Sequence, residues 1–455
     1  MKINIRFLGA AGTVTGSKIF IETPQHTILI DCGMFQGLKE LRKQNWKNLP
    51  IDVSTIDVVL LTHGHLDHTG YLPRLVRQGF RGKIIGTSPT LAIAKIILLD
   101  SGKIHEEEAE RANKEGYSKH NPAQPFYTIK EAEFTASFFQ PAEKDEWIIL
   151  SEDIKYRFRY NGHIIGSAFI ELDLYGKIFV FSGDVGRAND PLLYPPEKPR
   201  WADFLFMEAT YGNKIHPTDE FENKIIDLVN KTILNRGTLI IPSFAVERLQ
   251  TLMYLLWKLY QKNKIPNIPI FVDSPMGNNV LSVFEQFTDW HQLSKSDYYS
   301  MNCHMHVITS YRETWETIDN PQPKIVIAGS GMVTGGRVLT YLKQLIDEYT
   351  TTILLAGYQA EGTRGRKLLE GAQEIKIYGK YYPVKAEVHH IESLSAHADQ
   401  QELLDWTSNI RNIPEKVFLI HGETSSLKAL KEKINEEYGW HTYIPRLNEI
   451  YYITV

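Results

Sequence analysis

The stretch Leu60–Gly70, LLTHGHLDHTG, places three histidines and one aspartate within the six positions His63 to His68, directly after the apolar run Val58-Val59-Leu60-Leu61. An apolar run of this kind reads as a buried strand, and ligand-type side chains at its end read as a site. Neutral imidazoles with a carboxylate suit zinc, with manganese or iron as substitutes. Alternation along the strand end sends His63 and His65 to one side. A turn at Leu66 swings Asp67 and His68 towards an adjacent position, which implies two metal ions. A histidine-rich surface loop is the plain alternative, and the density of ligands after a buried-looking strand weighs against it.

Two ions need more ligands than one loop provides. His163 closes YRFRYNGH, Asp184 closes KIFVFSGD and His421 follows KVFLI, each after an apolar run and beside a glycine. Taken singly, each is as readily a turn or capping residue; their recurrence in one pattern favours the ligand reading. Asp184 is the natural bridge, because a carboxylate offers one oxygen to each ion. Asp31, in TILIDCG, is a strand-end acid of the same type, suited to hydrogen-bonding a metal-bound water or orienting a ligand imidazole.

The 455 residues suffice for two to four domains, and an apolar content of 43% argues against a disordered or fibrous chain. Cys32 and Cys303 lie far apart and in no CxxC pairing, which argues against a disulfide framework or a thiolate zinc site and points to the reducing cytoplasm. The N-terminus lacks a signal-peptide core, and no segment approaches the roughly 18 apolar residues of a membrane span, so no membrane partner is expected. A net charge of −4 disfavours non-specific coating of nucleic acid, yet residues 321–385 hold nine Lys or Arg against five Asp or Glu.

The first two hundred residues read as short strands separated by turns, interrupted near residues 90–147 by a charge-dense helical stretch that includes SGKIHEEEAERANKEGYSKH. From about residue 210 strand, loop and helix alternate, as in GTLIIPSFAVERLQTLMYLLWKLY and KIVIAGSGMVTGGRVLTYLKQLIDEY, which implies a parallel sheet. The last seventy residues hold a helix in HADQQELLDWTSNI and the strands KVFLIHGE and YYITV. There is no internal repeat.

In this order, Asp31, the HGHLDH block, His163, Asp184 and His421 resemble the sequential motifs of the metallo-β-lactamase superfamily. The resemblance implies an α/β fold, the αβ/βα sandwich, assembled from both ends of the chain. The more than two hundred residues between Asp184 and His421 resemble an inserted parallel-sheet β-CASP domain. Glu208 in FLFMEATYG, His397 in SLSAHAD, and the loops SFAVER, GSGMVTGGR and GYQAEGTRGR are similar to those of RNA-processing members, relatives of bacterial ribonucleases and of the cleavage and polyadenylation endonuclease. The implied organisation is residues 1–209 and 386–455 for the metallo-β-lactamase domain and 210–385 for the β-CASP domain. A histidine at the last motif, His421, accompanies RNA rather than DNA substrates in that family.

The resemblance implies a metal-dependent hydrolase, a zinc ribonuclease of endonucleolytic or 5′-exonucleolytic mode acting in RNA processing or decay on single-stranded RNA, with a homodimer compatible. Two Zn2+ about 3.5 to 4 Å apart would activate a hydroxide for attack on phosphorus. His63, His65 and His163 are assigned to one ion, Asp67, His68 and His421 to the other, and Asp184 to both. Asp67 and Asp31 are counted with the catalytic residues. His397 reads by itself equally well as a helix N-terminal residue; the resemblance makes it the general acid, with Glu208 as its partner. GSGMVTGGR is neither GxGxxG nor GxxxxGK[ST], so it lends little to a nucleotide cofactor. Ser243, Ser330, Gly331, Arg337 and Arg364 are the candidates for RNA-phosphate contacts. The competing readings are a DNA-directed or small-substrate hydrolase on the same scaffold and a non-catalytic RNA-binding platform.

Overall fold

A computed structural model describes residues 1–116, 118, 120–217, 221–391 and 393–455. Tyr117 and Lys119 of the charge-dense stretch lie outside the described residues. The chain forms two compact units, one of Met1–Asp190, Tyr194–Ile215 and His397–Val455, the other of Pro191–Leu193 and His216–Ala396.

The first unit is built on two seven-stranded sheets among the described residues. One runs in the order Ile450–Thr454, Lys2–Phe7, Ile19–Glu22, Thr27–Ile30, Val58–Leu60, Lys83–Thr87, Phe139–Ala142, so the last strand of the chain closes on the first. The other runs Thr442–Tyr443, Lys416–Ile420, Phe204–Glu208, Lys177–Phe181, Ala168–Leu174, Ile154–Tyr160, Ile148–Ser151. Alternate side chains of both sheets meet in one core. Ile3, Ile5, Phe7, Ile28 and Ile30 come from the first sheet, and Tyr156, Phe158, Ile170, Phe181, Phe206 and Phe418 from the second. Phe206 stacks between Phe181 and Phe418, with centroids 4.4 and 4.6 Å away. Each such ring contributes roughly 1.5–3 kcal/mol by leaving water.

The outer faces are apolar too, because helices cover them. Leu29, Val59 and Leu61 pack on Leu72, Leu75, Leu91 and Leu98, while Leu205, Met207 and Leu419 pack on Leu403, Trp406, Leu427 and Leu430. The result is the four-layer αβ/βα sandwich. The helix Ser88–Glu115 starts where the Thr87 hydroxyl accepts from the Thr90 amide with Pro89 in its first turn, and it ends at left-handed Gly116. No helix among the described residues is long and apolar enough to cross a membrane.

The second unit holds a six-stranded sheet in the order His306–Val307, Ile270–Asp273, Lys324–Ala328, Thr238–Pro242, Thr351–Ala356, Glu387–Ile391. All its pairs are parallel. The strands Thr238–Pro242 and Lys324–Ala328 are buried along their whole length, as expected of parallel strands covered on both faces. The division of the chain differs from the boundaries at 209/210 and 385/386 inferred from the sequence. It falls after Ile215, since Tyr211 still bridges to Asp399 of the first unit. It falls again after Ala396, since Glu387–Ile391 pairs with Thr351–Ala356.

Candidate metal centre

Strand register assembles the centre inside the first unit. Ile30 lies opposite Leu60, Phe181 opposite Phe206, and Glu208 opposite Ile420. Just beyond these positions the chain leaves its sheets, and there stand Asp31, Thr62-His63, Ser182-Gly183-Asp184 and His421. Asp31 and His421 have φ of 57° and 48°, left-handed conformations that L-residues adopt at a cost of roughly 1–3 kcal/mol each. A Cβ on Gly33 would lie 1.5 Å from the Asp67 carbonyl oxygen, so the turn after Asp31 presses directly on the ligand loop.

Two sets of donor atoms converge. In one, His63 Nε2 and His163 Nε2 lie 3.1 and 3.2 Å from His65 Nδ1, and Asp184 Oδ2 is 3.4 and 3.5 Å from the same two Nε2 atoms. In the other, His68 Nε2 lies 3.2 Å from His421 Nε2, Asp67 Oδ2 is 3.4 Å from His421 Nε2, and Asp184 Oδ1 is 3.3 Å from His68 Nε2 and 3.5 Å from His421 Nδ1. Asp184 therefore turns one oxygen to each set. One ligand atom from each of His63, His65, His163 and Asp184 lies within 4.8 Å of the others, and the same holds for Asp67, His68 and His421 and for Asp184, Glu208 and His397.

The other edges of the imidazoles are anchored. Asp31 Oδ1 accepts from the Thr62 amide at 2.8 Å, and Oδ2 accepts from Thr62 Oγ1 at 2.9 Å and faces His68 Nδ1 at 2.7 Å. With its proton on Nδ1, His68 turns the Nε2 lone pair towards the cluster. Thr62 Oγ1 is also 3.1 Å from His63 Nδ1, and Thr210 Oγ1 is 3.2 Å from His421 Nδ1. Asn161 donates to the carbonyls of Ser182 and Asp184 at 2.7 and 2.6 Å and so fixes the turn that carries the carboxylate.

The electrostatics fit divalent cations. Burial holds the imidazole of His63 well below its ordinary pKa and that of His65 down at about 4, so both keep a lone pair for coordination. Burial opposes charge on His68 as well, but Asp184 and Asp31 override it and raise its pKa. For Asp184 burial would favour the neutral acid, yet His421, His68 and His63 hold its pKa well below the usual range. The buried Asp184 Oδ1 accepts no hydrogen bond among the described residues. A buried carboxylate in this state, set among imidazole nitrogens, calls for positive charge between the groups.

Glu208 is fully buried; its Oε1 accepts from the Val185 amide at 2.7 Å and its Oε2 from the Thr210 amide at 3.1 Å. His397 Nδ1 lies 3.2 Å from Glu208 Oε1, and its Nε2 points to Asp184 Oδ2 at 4.0 Å. Burial works against a charged His397, but Glu208 and then Asp184 outweigh it and bring its pKa to about 9. His397 thus holds a proton at the edge of the centre.

The five phosphate candidates lie in the second unit, and the side chains of Ser243, Ser330, Arg337 and Arg364 are engaged with the protein. Ser243 is buried and donates to the Phe244 carbonyl at 3.0 Å. Ser330 Oγ accepts from the amides of Thr334 and Gly335, closing its own loop. A Cβ on Gly331 would meet the Phe244 ring at 2.6 Å. Arg337 stacks on Tyr311 at 3.7 Å, donates to Thr314 Oγ1 at 2.6 Å and lies 3.8 Å from buried Asp273. Arg364 donates to the carbonyls of Lys376, Val333 and Thr334. Arg364 so braces the loop 329–337, and Arg337 ties the end of that loop to Thr314.

Thr62, Asn161, Thr210 and Ser182, whose hydroxyl accepts from the Glu208 amide at 3.0 Å, escape the sequence reading. Thr62 and Asn161 adjoin the His63 and His163 motifs. Adjacency is their one signal, since hydroxyls and amides at strand ends are common.

Comparison with known proteins matches residues 12–90 to the metallo-beta-lactamase superfamily, 249–368 to the Beta-Casp domain, and 381–445 to the Zn-dependent metallo-hydrolase RNA specificity domain. Ribonuclease TTHA0252 of Thermus thermophilus is 33% identical over 93% of this chain and 94% of its own length. An RNase J-like protein of Methanocaldococcus jannaschii is 30% identical over 97% of both chains. Transcription termination factor FttA of the same archaeon is 29% identical over 97% of this chain and 70% of its own. A solved structure of a protein of unknown function from Enterococcus faecalis V583 shares the fold at a TM-score of 0.55, with 12% identity and full coverage of both chains.

Proposed function

The chain belongs to the β-CASP branch of the metallo-β-lactamase superfamily, and from that premise we propose that it is a zinc-dependent ribonuclease hydrolysing phosphodiester bonds of single-stranded RNA. The observation that carries this reading is Asp184, whose two oxygens face two separate histidine-containing donor sets, in a chain that matches an RNA specificity domain.

His63, His65 and His163 would hold one zinc ion, Asp67, His68 and His421 the other, and Asp184 both. Divalent cations so held supply Lewis-acid polarisation of the phosphodiester and acidification of water near neutral pH. Asp31 and Thr62 orient the imidazoles of His68 and His63. His397, fixed by Glu208 through Nδ1, donates the Nε2 proton to the departing ribose oxygen. In the second unit, loop 329–337 would meet RNA phosphates through its backbone amides, with Arg337 and Arg364 shaping it.

The test is zinc content by plasma emission together with cleavage of circular and of 5′-monophosphorylated linear RNA. Two zinc ions per chain and RNA cleavage lost in Asp67→Ala and His68→Ala variants that still fold support the reading. Full activity of Asp67→Ala in metal-free buffer refutes it. Attack on the circle assigns an endonucleolytic mode.

A further inference from the structure

The segment after Asp31 carries a feature that cleavage chemistry leaves unused. Residues 39–47 hold four cations, Lys39, Arg42, Lys43 and Lys47, against the single acid Glu40, and all five side chains are exposed. Lys43 pairs with Glu40 at 2.8 Å, and Glu108 lies within electrostatic reach of Arg42. Among these charges Trp46 is 54% exposed. Tryptophan normally covers most of its ring. Here the ring is held from one side, edge-on to Phe126 at 5.3 Å and with the Arg74 guanidinium 6.0 Å from its centroid.

The segment is also rigidly joined to the ligand loop. Cys32 and Met34 donate backbone hydrogen bonds to the carbonyls of His68 and Leu66 at 2.7 and 3.1 Å. Buried Asn45 clamps both backbone groups of Phe35 at 2.8 Å, and the Tyr71 hydroxyl donates to the Lys47 carbonyl at 2.9 Å. A flexible charged face needs no such clamps, and it gains nothing from an uncovered indole.

We propose that residues 39–47 form a docking subsite for the single-stranded RNA substrate, in which a base stacks on Trp46 while Lys39, Arg42 and Lys47 neutralise phosphates of the strand. The inference rests on RNA being the substrate. Stacking on an aromatic platform is tolerant of sequence, and cations along the backbone make affinity salt-dependent, so the two parts leave separate signatures.

The experiment compares the zinc-loaded full-length protein and its variants on a fluorescent oligouridylate and on bis(p-nitrophenyl) phosphate, which reports the metal centre without a docked strand. Trp46→Ala is expected to raise KM for the oligouridylate by about five- to a hundredfold, with Trp46→Phe recovering part of the loss and bis(p-nitrophenyl) phosphate hydrolysis unchanged. Combined Lys39→Gln, Arg42→Gln and Lys47→Gln should flatten the dependence of log KM on log salt by about 2, from about 0.7 per phosphate contact. Folded variants with KM within twofold of wild type and an unaltered salt slope overturn the subsite while leaving the ribonuclease reading intact. Wild-type protein that hydrolyses the small diester but leaves RNA whole overturns both.

Discussion

Replacing Asp31 with asparagine changes one atom and should disable the centre it supports. The carboxylate accepts from three donors: the Thr62 amide on Oδ1, and Thr62 Oγ1 and His68 Nδ1 on Oδ2. An amide offers one accepting oxygen and one donating nitrogen in the same space. If the nitrogen faces His68, the imidazole must accept at Nδ1 and carry its proton on Nε2, which removes the lone pair aimed at Asp67, Asp184 and His421. If the nitrogen faces the Thr62 amide instead, two donors oppose each other at a site where Asp31 is 2% exposed. The first outcome lowers zinc affinity about 10- to 100-fold, or about 1.4–2.7 kcal/mol, the usual effect of losing a carboxylate behind a ligand histidine. The second leaves an unsatisfied buried donor, worth about 1–3 kcal/mol of stability. Competition with a chromophoric chelator measures the one, and urea unfolding of the zinc-loaded protein the other. The Asp31→Asn variant is expected to fail chiefly in zinc affinity, because the rigid backbone amide of Thr62 has no alternative partner while the imidazole can exchange tautomers. Zinc affinity within twofold of wild type together with unchanged stability would refute this account of Asp31.

Three further outcomes follow from the geometry. His397→Ala should slow RNA cleavage by about 10²- to 10⁴-fold and leave zinc content unchanged; zinc loss on that substitution would show the side chain to be a ligand. Arg364→Ala should cost about 1–3 kcal/mol in urea unfolding, since three carbonyls lose their donor, whereas unchanged stability with a salt dependence shallower by about 0.7 would assign it to a phosphate contact instead. Lys18, fully buried with Nζ donating to the carbonyls of Gly16 and Gly33, is lowered by burial from 10.5 to about 8. Because the folded value lies below the unfolded one, its contribution is present above pH 10.5 and lost as pH falls to 8. Wild-type stability measured against Lys18→Met should therefore rise by up to about 3 kcal/mol across that window; a constant difference would refute a neutral buried lysine.

The fold class could be read from the chain because its signals are local. Apolar strands ending in His63, His163 and Asp184 are visible as runs, and a parallel sheet announces itself by strands alternating with helices. Other features depend on distant partners and leave no such trace. Lys324–Ala328 and Thr238–Pro242 are neighbours in one sheet though separated by four intervening α-helices, and Glu387–Ile391 joins that sheet beyond the boundary at 385/386. Arg337 and Arg364 looked like phosphate ligands beside glycines; which donors a guanidinium keeps for solvent depends on carbonyls and on Asp273 and Thr314, which pattern cannot locate.

By itself the amino-acid sequence determined the donor inventory, since imidazole and carboxylate chemistry belongs to residue type and HGHLDH concentrates it in one loop. Tertiary structure alone decided the division of labour: which oxygen of Asp184 meets which histidines, that Asp31 sets the tautomer of His68, and that Trp46 packs on Phe126 while half of it stays exposed. Those relations depend on positions within a few ångströms among residues up to several hundred apart in the chain, and only strand register and packing bring such residues that close.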